Sequence, residues 1–560
     1  MISYKPETPL TRTYKKQFIT FNWVEPHPAE PVREDTMRRS IVAAAAVGVT
    51  ALALSGCAAT AQPGGEGPQT IKLAVQSDPG TLNPITNATN ASESVSTFGY
   101  ESLLFYPTGA EPKGLLADSW ESTTTTVQFT LKDGILCVDG EPLTATDVKS
   151  TFEYAAADET GSPYKGVYFP AEGLTIEADD AANTVTFTSA NAQSFLAETI
   201  GAMPIVCASG LADPSVLDTE LHGTGAYSLE DSSPGQSYTF ALRDDYAWGV
   251  DDTTSKTEGL PGTVEVSIIE SDSTAANLLQ TGEANIAEVG GSERDRLGST
   301  DFATELEVPL RPGLIFFNQA EGRVGHDLAV REALAQAVDR ESVGPVASAG
   351  RGEQITTLVS EFGAACTTMD SSSAIPSYDV EAAAAALDEA GWVEGADGIR
   401  AKDGKPLSIL MLYPASESQG VTAAIELLQT EFAKIGVDAK PTPSAAYTDV
   451  IFSGGDWDIV WAPIFTSLPS DWAGILGGDF PPNGGNWTYN ANQEYFDLVG
   501  EAQALAGADS CDAWQAAQDS LFSNLEVLPV YSSTSTFYGV GVEFGMSKSI
   551  LAPTTIRVTE

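Results

Sequence analysis

The sequence predicts an α/β protein with more than one domain. Three observations carry that expectation. Strand and helix patterns alternate from Asp379 to Trp461, the order that builds a sheet flanked by helices. The stretch from Gly114 to Tyr154 holds an alternating strand, two glycine turns and a capped helix. The chain has 560 residues. Once a leader is set aside about 500 remain, enough at ~150 per domain for two to four domains with large cores.

Within Gly114–Tyr154, Val127, Phe129 and Leu131 alternate with Gln128 and Thr130, the period of a half-buried strand. Asp133-Gly134 and Asp139-Gly140 supply turns. Thr144 or Thr146 is placed to cap a helix whose Val148, Phe152 and Ala155 share a face.

Residues 1–36 show no periodic pattern and read as an over-extended start or a disordered leader. From Met37 the chain reads as a signal peptide, 37–56. Arg38 and Arg39 precede an apolar run from Ile41 to Leu54, too short for comfortable membrane spanning. Leu54-Ser55-Gly56-Cys57 resembles a bacterial lipobox, which implies cleavage before Cys57 and a lipid on its thiol. Residues 57–69, rich in Ala, Gly, Pro and Gln, read as a flexible tether.

Acids outnumber bases 77 to 28, a formal charge of −49. That argues against nucleic acid, whose phosphates need basic patches, and against electrostatic adhesion to anionic lipid. Besides Cys57 there are Cys137, Cys207, Cys366 and Cys511, with no pair at metal-site spacing. In an exported chain four such thiols suggest two disulfides, with three pairings open.

Further along, Leu174-Thr175-Ile176-Glu177 and Thr184–Thr188 read as antiparallel strands joined by a turn at Asp179–Asn183. A helix is expected from Ser92 through Val95, Phe98 and Leu103. Another is expected to be capped by Asp272 or Ser273 and to end at Gly282. Ile425, Leu428, Phe432 and Ile435 form a core stripe closed by Gly436. His222-Gly223-Thr224-Gly225 is followed by a strand and no helix, so it reads as a tight turn, not an anion site.

Catalytic readings find little support. Past the leader the histidines are His222 and His326, far apart, and no metalloprotease, nucleophile-elbow or P-loop pattern occurs. No metal site and no cofactor are expected.

The order of residues says more. Ala117-Asp118-Ser119-Trp120, the alternating strand, Leu131-Lys132-Asp133-Gly134-Ile135, Asp139 through Val148 and Ser150-Thr151-Phe152-Glu153 follow one another. So do Tyr100–Leu103, Gly223–Tyr227, Arg331–Arg340, Ala386–Trp392 and Asn524–Tyr531. The series resembles the peptide/nickel class of extracytoplasmic solute-binding proteins, family 5, the receptors of ABC importers. It runs from about Thr70 to about Phe544.

The resemblance implies a two-lobed, periplasmic-binding-protein-like fold of class II, in the large cluster with an extra subdomain. Mixed sheets would be flanked by helices, with the ligand cleft between the lobes. Lobe I would comprise 70–312 and 530–560, with an inserted subdomain at about 105–220. Lobe II would comprise 313–529. Disulfides Cys137–Cys207 and Cys366–Cys511 would then each stay within one lobe. The implied cleft residues are Tyr100, Asn318, Trp461, Asp471, Trp487, Tyr489 and Tyr531. In dipeptide-binding relatives an Asp after the Trp461-type strand holds the ligand's amino terminus; here Ser467 stands at that place and Asp471 four residues later.

The expected function is that of a lipid-anchored receptor on the outer face of the bacterial cytoplasmic membrane. It would be a monomer that captures peptides or peptide-like solutes by hinge closure and hands them to an ABC permease. The alternatives are the same fold binding an oligosaccharide or a chelated metal, and a secreted surface hydrolase.

Overall fold

The structure, a computed structural model, describes residues 69–559 apart from 299–301, 361, 362, 364, 416 and 465. The leader, the signal segment, Cys57 and nearly all of the tether lie outside the described residues. The described residues fall within one compact unit, Glu66–Glu560.

The strands that frame the molecule are, in chain order, β1 (Thr70–Val75), β2 (Ala117–Ser122), β3 (Thr126–Leu131), β4 (Leu174–Asp179), β5 (Thr184–Ser189), β6 (Tyr227–Ser233), β7 (Ser237–Leu242), β8 (Thr263–Ile268), β9 (Ile286–Val289), β10 (Thr304–Phe317), β11 (Ser408–Pro414), β12 (Asp438–Ser444), β13 (Ile459–Ala462) and β14 (Val527–Gly539). An eleven-stranded sheet runs β12-β11-β13-β10-β14-β9-β1-β8-β7-β6, with Gly352–Glu353 added beside β14. It is mixed: β1 is parallel to β8 and β9, β11 is parallel to β12 and β13, and β10 and β14 are antiparallel to each other. A separate antiparallel sheet, β2-β3-β5-β4, stands beside the first lobe.

The two ends of the large sheet are the two lobes. One apolar core surrounds β1 and β8 and includes Leu73, Phe98, Phe240 and Val266. Two others surround β11 and β13 and include Met411, Phe432, Trp457 and Trp487. Among the described residues the chain passes between them along β10 and β14, which pair over most of their length. Their register slips between Pro309 and Arg311 and again between Gly313 and Leu314. Bulges interrupt the ladder locally and bend a strand, and both slips fall in the bridge between the lobes.

Local chemistry explains the helices. Thr144 caps helix α1 (Ala145–Ala156) through a capping box with Asp147. Phe152 of α1 lies edge-on to Phe187 of β5, 4.7 Å between centroids, tying the helix to the small sheet. Helix α2 (Gln419–Lys434) buries Ile425, Leu428 and Phe432, each worth about 1.5–3 kcal/mol of transfer free energy, and Gly436 turns the chain with φ 76°.

Two expectations are corrected. The helix expected from Ser92 through Val95, Phe98 and Leu103 spans only Asn90–Ser96. The carbonyls of Phe98 and Gly99 instead accept hydrogen bonds from Tyr227 and Gly225, and a helix cannot also use them. The helix Asp272–Thr281 is capped by Ser271, not by Asp272 or Ser273. The Ser271 hydroxyl accepts from the Thr274 N–H three residues on, which is where a cap must reach.

The disulfides are Cys137–Cys207, inside the first-lobe core, and Cys366–Cys511, in the second lobe. Among the described residues no helix is long and apolar enough to cross a membrane.

Candidate ligand-binding cleft

A cavity of about 120 Å³, partly open to solvent, lies in the first lobe between the large sheet, the small-sheet subdomain and the C-terminal segment. Its walls are aromatic. Tyr164 and Tyr168, on the loop after α1, stack with centroids 4.7 Å apart. Tyr100 is 3% exposed and fixed through its hydroxyl, which accepts from the His222 N–H at 3.0 Å and reaches the Glu220 carbonyl at 3.4 Å. Such walls suit a site that encloses a guest yet holds it by a few polar groups.

Three charged side chains line the cavity. Glu101 is deeply buried and accepts from Tyr246 (2.6 Å), Trp248 Nε1 (2.9 Å) and Thr224 (3.0 Å). Burial pushes its carboxyl up, against these three donors. Glu93, on the short helix before Tyr100, is likewise pushed up by burial, opposed by Lys548 and by a hydrogen bond with Tyr164. Burial pushes the Lys548 ammonium down to about 8, with Glu93 opposing. Lys548 Nζ donates to the Ala202 carbonyl (3.1 Å) and sits 5.0 and 4.8 Å from the ring centroids of Tyr106 and Tyr168.

Asp471 of the second lobe lies close enough for its charge to be felt at Tyr168, whose hydroxyl is raised by burial first and then by Glu93 and Asp471. Asp471 opens the short helix Asp471–Ile475, and its carboxylate accepts from the Leu468 N–H at 3.2 Å. Burial raises it to about 6, and the backbone N–H groups of Leu468 and Ser467 hold it from rising further.

The model of the bacterial extracellular solute-binding proteins, family 5 (middle region), matches residues 111–486, more than half of the chain. The chain belongs to this family. Among curated relatives it is 28% identical over 450 residues to Protein XP55 of Streptomyces lividans, covering 75% of this chain and 73% of that one. It is 23% identical over 455 residues to the oligopeptide-binding protein AppA of Bacillus subtilis (strain 168), covering 77% and 79%. Among solved structures, NikA from Brucella suis in complex with Fe(III)-EDTA superposes with a TM-score of 0.72 at 18% identity, covering 88% of this chain and all of that one. That likeness shows the two-lobed fold. Family 5 proteins are the extracytoplasmic solute-binding components of ABC transporters, so this protein is a solute-binding protein.

In this family 5 protein the seven residues expected at the cleft separate into groups. Tyr100 lines the cavity. Asp471 does not line it; its carboxylate accepts from the Leu468 N–H of its own lobe. Trp461 and Tyr531 meet at the bridge between the lobes, 5.6 Å apart. Asn318 is buried, its amide donating to the Trp457 carbonyl and accepting from the Ala320 N–H, which braces the end of β10. Trp487 is 1% exposed, packed on Phe316 and Trp457 inside the second lobe. Tyr489 is half-buried against Phe480 on that lobe, 5.2 Å away. Neither Asn318, Trp487 nor Tyr489 lines the cavity.

Sequence reasoning missed Glu93, Glu101, Tyr164, Tyr168 and Lys548. Two tyrosines four apart after a Ser-Pro are a faint signal. Lys548, the last lysine of a base-poor chain, is a better one.

Proposed function

We propose that the protein is the lipid-anchored receptor of an ABC importer, capturing a peptide-like solute between its lobes and releasing it unaltered to the permease. The carrying observation is the tyrosine-walled cavity of the first lobe, with charges of both signs. A peptide offers what those walls accept: amide groups, a charged terminus of each sign and apolar side chains. The oligopeptide-binding name of the Bacillus subtilis relative supports the same class.

Closure follows from the bridge. Two strands with register slips can bend while the cores on either side stay rigid. A solute preferring the closed form by about 2.7 kcal/mol shifts the population about a hundredfold, which a permease can read.

The protein acts without covalent chemistry in this reading. His222 pairs with Ser209 and Glu220, and His326 with the Gln319 carbonyl, so both are held by structural partners. Cys57 carries the lipid and the tether lets a monomer reach its permease. Cys57→Ser then blocks processing or releases the protein into the medium; unchanged lipid labelling would refute the anchor.

The test is to incubate the protein with oligopeptide, oligosaccharide and metal-chelate pools and to identify retained solutes by mass spectrometry. Intact peptides are expected. Intact sugars or chelates would replace the ligand class, and cleaved products would replace the receptor by a hydrolase.

A further inference from the structure

Resting on that reading, we infer that the first-lobe cavity clamps both ends of a short zwitterion, Lys548 taking a carboxylate and Glu93 an ammonium group. The ligand class is then a free amino acid or a di- or tripeptide with unblocked termini. A long peptide threaded through the cleft by its backbone does not fit this arrangement.

The argument starts from the Lys548 ammonium. It has three donors; the Ala202 carbonyl and the Tyr168 hydroxyl take two, at 3.1 and 3.4 Å. Two tyrosine faces hold the cation in place, and an ammonium so enclosed has lost much of its hydration. Glu93 is the charge felt at Lys548, yet among the described residues the two form no ion pair, and Glu93 is also influenced by the Tyr164 hydroxyl. Unlike charges that are half-buried without pairing gain from a guest that brings complementary charge to each.

Glu101 is not that partner. Its oxygens already accept three hydrogen bonds from Tyr246, Trp248 and Thr224, which direct it into the first-lobe core. The cavity therefore offers one cation and one anion to a guest, with tyrosine and Phe105 surfaces for an apolar side chain. The enclosed space is about 120 Å³, which favours a short guest over a long one.

The experiment uses the intact protein and four pools of random di- and tripeptides: free at both ends, C-terminally amidated, N-terminally acetylated, and blocked at both ends. Retention of the free pool at least tenfold above either singly blocked pool is expected. Lys548→Met should abolish the preference for acid over amide, and Glu93→Gln the preference for free amine over acetyl. A purely structural role for either residue would weaken all four pools alike. Equal retention of free and blocked pools by the unaltered protein would overturn the clamp and leave the receptor reading standing, and this readout needs no variant. Retention of none of the pools would overturn the clamp, while the oligopeptide pools of the receptor test decide the receptor reading separately.

Discussion

Trp461 and Tyr531 face each other across the bridge, ring centroids 5.6 Å apart and tilted by 35°. Gly313 passes between them. A Cβ built there would lie 2.3 Å from Tyr531 Cε1 and 2.4 Å from Trp461 Cζ2, at the second register slip of β10. The glycine is thus required by close approach of two rings from different strands, at the point where the lobes join.

Gly313→Ala should therefore cost about 1–3 kcal/mol, the usual range for overpacking a tight site. Denaturant unfolding would show a lowered midpoint with an unchanged slope. A midpoint equal to that of the unaltered protein would mean the rings yield freely and do not define the bridge.

A second contact ties the lobes away from the bridge. Phe195, from the small-sheet subdomain, is 1% exposed and belongs to the second-lobe core. Beside it Ser194 accepts from Trp514 Nε1 (3.1 Å) and donates to the Ala502 carbonyl (2.8 Å). Phe195→Ala should lose about 3–5 kcal/mol. It should also separate the lobes, read as a larger radius of gyration in solution scattering. Lost stability with an unchanged radius would make Phe195 ordinary core.

Stability should fall as pH rises toward neutrality, through Glu526. This residue is 2% exposed, and burial raises its carboxyl from 4.5 to about 7, with Arg331 opposing. A folded-state pKa above the unfolded one means the folded form holds its proton more tightly. The associated stability is complete below pH 4.5 and is lost as pH climbs through about 7. Asp471 adds the same sign between 3.8 and about 6. Between pH 5 and pH 8 the unaltered protein should lose about 2 kcal/mol more than Glu526→Gln. Equal losses in urea titrations would remove Glu526 as the cause.

Much of this architecture could be read from residues because local chemistry dictates it. The stripe Ile425-Leu428-Phe432-Ile435, the glycine stop at Gly436 and the Thr144 cap need only their neighbours in sequence. The register slips in β10 and the approach of Gly313 to two rings arise from strands more than a hundred residues apart, so no local pattern announces them. The cavity behaves likewise. Tyr100 was legible from its family segment, whereas Lys548 and Glu93 come together from opposite ends of the chain. Trp487 shows the converse: an aromatic beside a cleft segment is buried when Phe316 and Trp457 offer it a core.

The second-lobe disulfide should contribute strongly to stability. Cys366 and Cys511 are 145 residues apart, and closing so long a loop restricts the unfolded chain by about 5 kcal/mol in the chain-entropy estimate. Replacing both by Ala should lower the melting temperature under oxidising conditions and make it indifferent to reductant, apart from the Cys137–Cys207 contribution. An unchanged melting temperature would show that the loop is constrained by other contacts.

The account turns on two lobes closing around a solute. The most direct measurement is small-angle X-ray scattering of the protein alone and saturated with whichever solute it retains. The account predicts a smaller radius of gyration in the saturated sample, with the solute recovered intact. The same profile in both samples, at proven occupancy, would contradict it.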